Sequence, residues 1–288
     1  MMNVLITGKS GYIASKLVKE LENIHDVDSI SLRGEEWLER DFSSVDVLIH
    51  TAGIAHVSYK KSESNIYDEV NHLLTIKVAE KAKQAGVKQF IFMSSMLVYG
   101  ESQSKIDFID ENTLPQPTTP YGNSKYHAEK GLLALQDDSF KVVIIRLPMV
   151  YGPNNQGNYP KLSKVANRLP IFIKVRNVRS MIYVGHVTRF LMRLIERQTS
   201  GVYYPQNNDI VSTSDLVIMI RKVQGKKTIL LPFPNAILRI LMAIHPMFKK
   251  LFGSQAYELD LSHHELEYTP YTFEETILMT EEGTRYAD

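Results

Sequence analysis

Short unbroken apolar runs alternate with stretches whose apolar residues recur at helical spacing through the first half of the chain. Residues 2–7 read as a buried strand, and in the "YIASKLVKELENI" that follows, Ile13, Leu17, Val18 and Leu21 fall on one helical face. "VDSISL" reads as a second strand and "VDVLIHTA" as a third, its apolar run ending at His50. The spacing predicts a helix over 66–85 with Val70, Leu73, Leu74 and Val78 inward, stopped by Gly86. "KQFIFMSS" is a fourth strand; after a Pro-rich loop come the helix "YGNSKYHAEKGLLAL" and the fifth strand "KVVIIRLPMV". Strands and helices in such regular alternation predict an α/β fold built on a doubly wound parallel sheet.

Beyond Gly152 the alternation loosens. "GPNNQGNYPKL" and "LPIFIKVRNVRSMIYVGHV" are loop-rich with short strands, whereas "MIYVGHVTRFLMRLIERQ" and "GVYYPQ" can return a helix and a strand to the main sheet. The expected division is a dinucleotide-binding domain over 1–152, rejoined by 181–204, and a smaller substrate-binding region of 153–180 and 205–288.

Composition narrows the function classes. A net charge of +1 gives no global field for nucleic acid or an acidic membrane. The chain has no cysteine, which removes disulfides, thiolate metal sites and a Cys nucleophile, and no metal is expected. No charged leader with an apolar core opens the sequence, so a cytoplasmic protein is expected. "ILLPFPNAILRILMAIHPMFKKLFG", residues 229–253, is broken by Pro232, Pro234 and Pro246 and interrupted by Arg239 and His245. It therefore falls short of a membrane span and reads as an amphipathic helix packed on the protein, with a surface membrane helix as the alternative.

The first strand-to-helix turn carries "TGKSGYIA". Gly8 and Gly11 let backbone N–H groups approach a diphosphate, and the helix starting near Gly11 offers its positive end. Ala14 stands where a third glycine would serve helix–strand packing. Such turns also occur for structural reasons, but this one follows a strand and opens a helix within a βαβ unit. At the end of the second strand an acidic side chain would bind the ribose 2′-OH of NAD; here Asp28 lies too near the start and Arg33 stands at the end. A guanidinium suits a 2′-phosphate, which favours NADPH over NADH, with a solvated surface arginine as the plainer alternative. Asp41 and Phe42 are placed to meet the adenine, and Thr51, Ala52 and Gly53 bring small residues to the end of the third strand.

Tyr121 and Lys125 stand one helical turn apart and share a face. A phenol is a poor base at neutral pH, and an adjacent cation favours its ionised form. Ser94 and Ser95 end the fourth strand, where a serine can hold a substrate oxygen or merely cap the strand.

Taken together, "TGKSGYIA", "SSMLVYG", "YGNSK" and "RLPMVYGP" resemble the extended short-chain dehydrogenase/reductases that act on nucleotide sugars, a group with a Rossmann sheet. "VNHLLTIKVAEKAKQAGVKQFIFMSS" and "YTPYTFEETI" extend the resemblance along the chain. It implies Tyr121 as catalytic acid/base and Lys125 as binding the nicotinamide ribose while lowering the Tyr pKa. Ser95, four residues before Tyr99, is implied as the holder of the reacting oxygen. The cofactor set is completed by Ser10, Tyr12 and Ile13 in the turn and by Pro148. Relatives commonly dimerise through the Tyr-bearing helix, so a homodimer is expected.

The resemblance also sorts the reactions. Dehydratases place an acidic pair after the catalytic Ser/Thr, whereas here Met96 and Leu97 follow Ser95 and cannot move protons. Epimerase–reductases of the GDP-fucose synthase type use a cysteine, which is absent. "HTAGIAHV", "YGPNNQGNYPKL", "RNVRSMIYV" and "VSTSDLV" are similar to bacterial capsule and O-antigen enzymes. That points to reduction of the C4 ketone of a UDP-linked 4-keto-6-deoxy-hexosamine, giving a UDP-N-acetylquinovosamine or UDP-N-acetylfucosamine type product. Asn158 and Arg179 then sit in the substrate region, Arg179 toward the UDP diphosphate; a turn residue and a surface ion pair are the plainer readings. His186 replaces the family's usual Asp or Asn in "YVGHV" and reads as structural. The runner-up is a UDP-hexose or UDP-N-acetylhexosamine 4-epimerase with tightly bound NAD. A third reading is a non-catalytic NADP(H)-binding regulator, against which the intact Tyr121 and Lys125 argue.

Overall fold

Val4–Thr7, Val47–His50, Phe90–Ser94 and Val142–Leu147 are apolar along almost their whole length, and such runs are stable only when both faces are covered. In the computed structural model, which describes residues 1–55, 65–101, 108–262 and 266–285, they form the middle of one parallel sheet. Its strands are β1 (Asn3–Thr7), β2 (Asp26–Ile30), β3 (Val47–His50), β4 (Gln89–Ser95), β5 (Lys141–Leu147) and β6 (Gly201–Tyr203). Their spatial order is β6-β5-β4-β3-β1-β2, all parallel. The chain steps outward from β1 to β2 and then returns to the other side of β1 to lay down β3. The crevice at that reversal is where open α/β sheets bind ligands. β2, with sequence "DVDSI", is the polar edge, where charges discourage pairing with another chain.

Contacts divide the described chain into two compact units. The first comprises Met1–Glu101, Leu114–Leu147 and Thr188–Pro205 and contains the sheet. Its helices are α1 (Tyr12–Leu21), α2 (Leu74–Gln84) and α3 (Pro120–Leu135), and most of α4 (Val184–Arg197) also belongs to it. Leu5, Trp37, Phe42, Leu48, Val78, Phe90, Phe92, Leu132 and Phe140 form one buried cluster on a face of the sheet. Burial of several aromatic rings in one cluster supplies a large part of the driving force for folding.

The helix expected over 66–85 is three segments: Asn65–Asp68, a π turn Glu69–Leu73, and α2. The extra residue in the wide turn shifts the helical phase. Leu73, expected inward, is 47% exposed, while Asn71 and Thr75 are fully buried. Thr75 Oγ1 donates to the Asn71 carbonyl at 2.9 Å, a bond between its side chain and the backbone of the wide turn.

The second unit comprises Ser102–Thr113, Pro148–Val187 and Gln206–Asp288. It is built on three short parallel pairs: Met149–Tyr151 with Met181–Tyr183, Ile171–Lys174 with Ile229–Pro232, and Phe108–Ile109 with Ala256–Tyr257. Around them lie the helices Asn158–Arg168, Thr213–Lys222, Asn235–Ile244, Pro246–Phe252 and Phe273–Arg285. Among the described residues no helix is long and apolar enough to cross a membrane.

Candidate active site

Ser94 and Ser95 illustrate how a pleated strand assigns neighbours to different faces. Ser94 is buried and donates to Glu129 Oε1 on α3. Glu129 in turn pairs with Arg146 of β5 at 2.7 Å, and Arg146 donates to the Tyr99 hydroxyl at 2.6 Å. Burial disfavours the Arg146 charge, but the Glu129 carboxylate outweighs it and holds the guanidinium protonated. Ser95 points the other way, is half-buried, caps the 3₁₀ turn Met96–Tyr99 by accepting from Leu97 N at 3.2 Å, and reaches the Tyr121 phenol.

Tyr121 is set by the start of α3. Thr119 caps that helix by accepting from Gly122 N at 3.0 Å, and Pro120 pre-sets its first turn. A Cβ on Gly122 would lie 2.5 Å from the Leu97 carbonyl, so only glycine lets α3 approach the turn after β4 this closely. Burial raises the Tyr121 pKa to about 12, the Ser95 hydroxyl pulls it down, and Tyr67, edge-on at 6.2 Å between ring centroids, adds to the rise.

Lys125, one turn later, is 5% exposed. Its Nζ donates to the Met93 carbonyl at 2.9 Å and stands 4.5 Å over the Phe92 ring. Burial lowers its pKa to about 8, with Glu129 pulling it back upward. Burial thus weakens, without abolishing, the charge of the lysine expected to lower the phenol's pKa.

Two clamps close on this group. Asn71 accepts from Ile54 N at 2.8 Å and donates to Ile54 O at 3.0 Å, and its amide reaches Ser124 on α3 at 3.2 Å. His50 bridges Thr7 at 3.0 Å and Thr75 at 3.1 Å, and burial lowers its pKa to about 3, so it is neutral at physiological pH. A Cβ on Gly53 would lie 2.9 Å from Asn71 Oδ1 and 3.4 Å from Lys125 Nζ, which places open backbone beside both.

Close backbone approach also shapes the dinucleotide seat. Gly8 has φ +86°, and a Cβ there would meet Ala52 N at 2.8 Å and Thr51 Oγ1 at 3.0 Å. Its first duty is to let the turn after β1 touch the turn after β3. Thr51 Oγ1 ties the two together by donating to the Thr7 carbonyl at 2.6 Å. Gly11 caps α1 without any side-chain hydrogen bond, and the first turn holds no acidic residue. Among the described residues no side chain therefore competes at the positive end of α1 for an anion placed there. Ser10 is exposed beside Gly11, and Ala14 is fully buried, packed where a third glycine was expected. These residues fit a nicotinamide dinucleotide.

The structure brings together Gly8, Gly11, Thr51, Ala52, Gly53, Ser95, Tyr121 and Lys125 at the carboxyl ends of β1, β3 and β4. Phe42 does not join them. It is 1% exposed and belongs to the apolar core, so its ring offers no face to an adenine; the strict burial of the cluster claims it. Asp41 is exposed, and its carboxylate is engaged by Ser43 N and Oγ, each at 2.8 Å. Arg33 is exposed past the end of β2, and Asp28 pairs with Arg40 at 2.7 Å. Pro148 is buried immediately after β5.

In the second unit, Asn158 is exposed at the start of its helix. Arg179 donates to the Lys250 carbonyl at 2.5 Å and the Leu251 carbonyl at 3.5 Å, and burial lowers its pKa to about 10. No carboxylate pairs with it among the described residues, so the surface ion pair considered from sequence is absent there. His186 is 1% exposed, bonds Asn207 Oδ1 at 2.9 Å and stacks on Tyr271 at 5.9 Å, a structural placement.

Sequence reasoning missed Asn71, Glu129 and Arg146. Arg146 was legible as a charge set within the apolar run that follows Lys141, and Glu129 as the residue one turn beyond Lys125. Asn71 carried no such signal, because the π turn that points it inward is not encoded in regular helical spacing.

Comparison with known proteins gives these features a context. A model described as the NAD dependent epimerase/dehydratase family matches residues 4–206. A UDP-glucose 4-epimerase of Vibrio cholerae is 28% identical, covering 91% of this chain and 88% of its own length. The N-acetyl-alpha-D-glucosaminyl-diphospho-ditrans,octacis-undecaprenol 4-epimerase of Escherichia coli O157:H7 is 27% identical over 82% and 77% of the two chains. Among solved structures, the UDP-glucose 4-epimerase of Thermus thermophilus in complex with NAD superposes with a TM-score of 0.78 at 23% identity, with 100% of each chain covered. That likeness establishes the fold.

Proposed function

Since this chain belongs to the NAD dependent epimerase/dehydratase family, we propose that it is a UDP-sugar 4-epimerase that uses Ser95, Tyr121 and Lys125 at the C4 position of the sugar. The observation that carries the reading is the meeting of the Tyr121 phenol with Ser95 and, one turn on, the buried Lys125. The likeness to the Vibrio cholerae relative supports it from the side of sequence.

NAD is the cofactor in this reading; the Thermus thermophilus structure carries it. The expectation of NADPH rested on Arg33, which is exposed and is tied locally by its backbone N–H, donated to Ser31 Oγ at 3.1 Å. When bound, NAD supplies a hydride acceptor and donor at C4. The turn Gly8–Ile13 would hold the diphosphate at the α1 N-terminus and Lys125 would bind the nicotinamide ribose, while Asn71, fully buried and bonded to Ile54 and Ser124, would fix the backbone at Gly53 beside it.

Tyr121 takes the proton from the C4 hydroxyl as the C4 hydride leaves, which yields the 4-keto sugar. The Ser95 hydroxyl donates to the phenolate and lowers its cost; once Tyr121 carries the proton, the same donor turns to the C4 oxygen. Return of the hydride to the opposite face of C4, with Tyr121 giving its proton back, balances the reaction and inverts the centre. Positive charge near the phenol is needed at the first step, since burial raises the Tyr121 pKa to about 12 even with the Ser95 hydroxyl pulling it down. Asn158 and Arg179 are assigned to the substrate end of this reading.

A second reading, reduction of a UDP-linked 4-keto-6-deoxy-hexosamine by NADPH, is favoured by one observation. None of Ser31, Leu32 and Arg33 after β2 is acidic, and Arg33 is exposed. Release of nucleotide from the purified, acid-denatured protein separates the two. The epimerase reading predicts near-stoichiometric NAD and turnover without added reductant. Nucleotide-free protein that oxidises NADPH in the presence of the keto-sugar overturns it in favour of the second.

A further inference from the structure

The helix Asn235–Ile244 turns only a narrow stripe toward the protein. Leu238 and Met242 are buried in a small cluster with Val175 and Phe252. Ile237, Ile240 and Ile244, at helical spacing on the other side, are 48%, 58% and 74% exposed. Met247, at the start of the next helix, is 52% exposed. The neighbouring strand pair continues the pattern. Ile171 and Ile229 stand in register, and with Leu231 they are about half exposed. Between strands and helices lies an open groove of about 400 Å³, lined wholly by apolar side chains such as Phe172, Phe233, Leu241 and Phe248. Isolated exposed apolar residues are ordinary, but a contiguous group of this kind marks an interaction surface.

Charge identifies what it meets. From Leu216 to Tyr257 the chain has seven Lys and Arg and no Asp or Glu, although the whole protein carries only +1. The strand Ile171–Lys174 lies in a second carboxylate-free stretch, from Ser139 to Ile195. Lys174, Arg176, Lys226, Lys227, Arg239 and Lys250 are exposed, and none is ion-paired among the described residues. Exposed isoleucines on a short helix, in a stretch of chain that carries unpaired cations and no carboxylate of its own, are the pattern of an interfacial helix on anionic lipid. A second copy of this chain would bring the same cations against each other. No described helix is long enough to span, so contact is peripheral.

We propose that this face of the second unit docks on an anionic bilayer, with Ile237, Ile240, Ile244 and Met247 entering the headgroup boundary and the surrounding cations facing acidic headgroups. This goes beyond the enzymatic reading and does not depend on it.

The test uses the full chain. It has no cysteine, so Ile240→Cys carries a single environment-sensitive fluorophore. Vesicles of phosphatidylglycerol and phosphatidylcholine should shift its emission to the blue and co-sediment the unlabelled wild type. Pure phosphatidylcholine should do so far less, and raised salt should reverse the effect. Arg239→Gln with Lys250→Gln should weaken partitioning roughly fivefold per cation removed. Ile240→Glu with Ile244→Glu should abolish it while thermal stability and UDP-sugar turnover stay at wild-type values, since both side chains are exposed. An unchanged probe with anionic vesicles overturns the proposal. So does a wild-type dimer in sedimentation velocity that the isoleucine variants dissolve, which would make the face a contact between copies.

Discussion

Ser94 and Ser95 leave β4 on opposite sides, and their substitutions should separate stability from chemistry. Ser94→Ala takes a donor from buried Glu129, whose remaining partner is Arg146. It should cost about 1–2 kcal/mol in urea unfolding with turnover retained. Ser95→Ala should cost only about 1 kcal/mol in unfolding, for the lost cap on Leu97 N, but lower kcat roughly a hundredfold, because the oxygen it holds is the one that changes charge. Lys125 makes a different prediction. Its pKa in the folded chain is about 8, below its ordinary value of 10.5, because burial disfavours the ammonium. Between those values the unfolded chain binds more protons than the folded one, so stability from this group rises as pH climbs from about 8 toward 10.5. In Lys125→Met that rise should vanish from a plot of unfolding free energy against pH.

At the scale of elements, close approach decides the site more than propensity does. The turns after β1 and β3 meet at Gly8, and α3 meets the turn after β4 at Gly122. Gly8→Ala forces a positive φ on a side chain and drives its Cβ against Ala52 N. It should cost at least about 1–2 kcal/mol and weaken NAD binding, read by urea unfolding and cofactor titration. The central strands of the sheet were legible because doubly buried strands must be apolar throughout, and the return of a strand at "GVYYPQ" was legible as a short apolar run after α4, though not its edge position. The helix over 66–85 was legible only in outline. Helical spacing assumes a constant turn, and the π turn at Glu69–Leu73 broke that assumption, exposing Leu73 and burying Asn71 and Thr75. Phe42 went astray for the opposite reason. A ring beside Asp41 reads from sequence as a surface for a base, whereas the core had first claim on it.

For the molecule as a whole, the sequence carried the site's chemistry better than its specificity. Ser95, Tyr121 and Lys125 lie on elements whose ends are fixed by the sheet, so their meeting could be foreseen. The choice between NAD and NADPH rested on one exposed side chain, Arg33, with no packing to constrain it. Distribution of charge was also hidden by its sum: a net charge of +1 conceals a carboxylate-free stretch from Leu216 to Tyr257. The chemistry at C4 is the claim on which the rest depends. It is tested most directly by following UDP-glucose and UDP-N-acetylglucosamine by proton NMR with wild-type protein and with Tyr121→Phe, each checked for bound NAD. The account predicts that wild type produces the C4 epimer of one of these sugars without added reductant. Tyr121→Phe should retain NAD and lose turnover by about a thousandfold. Epimerisation by Tyr121→Phe at the wild-type rate would contradict it.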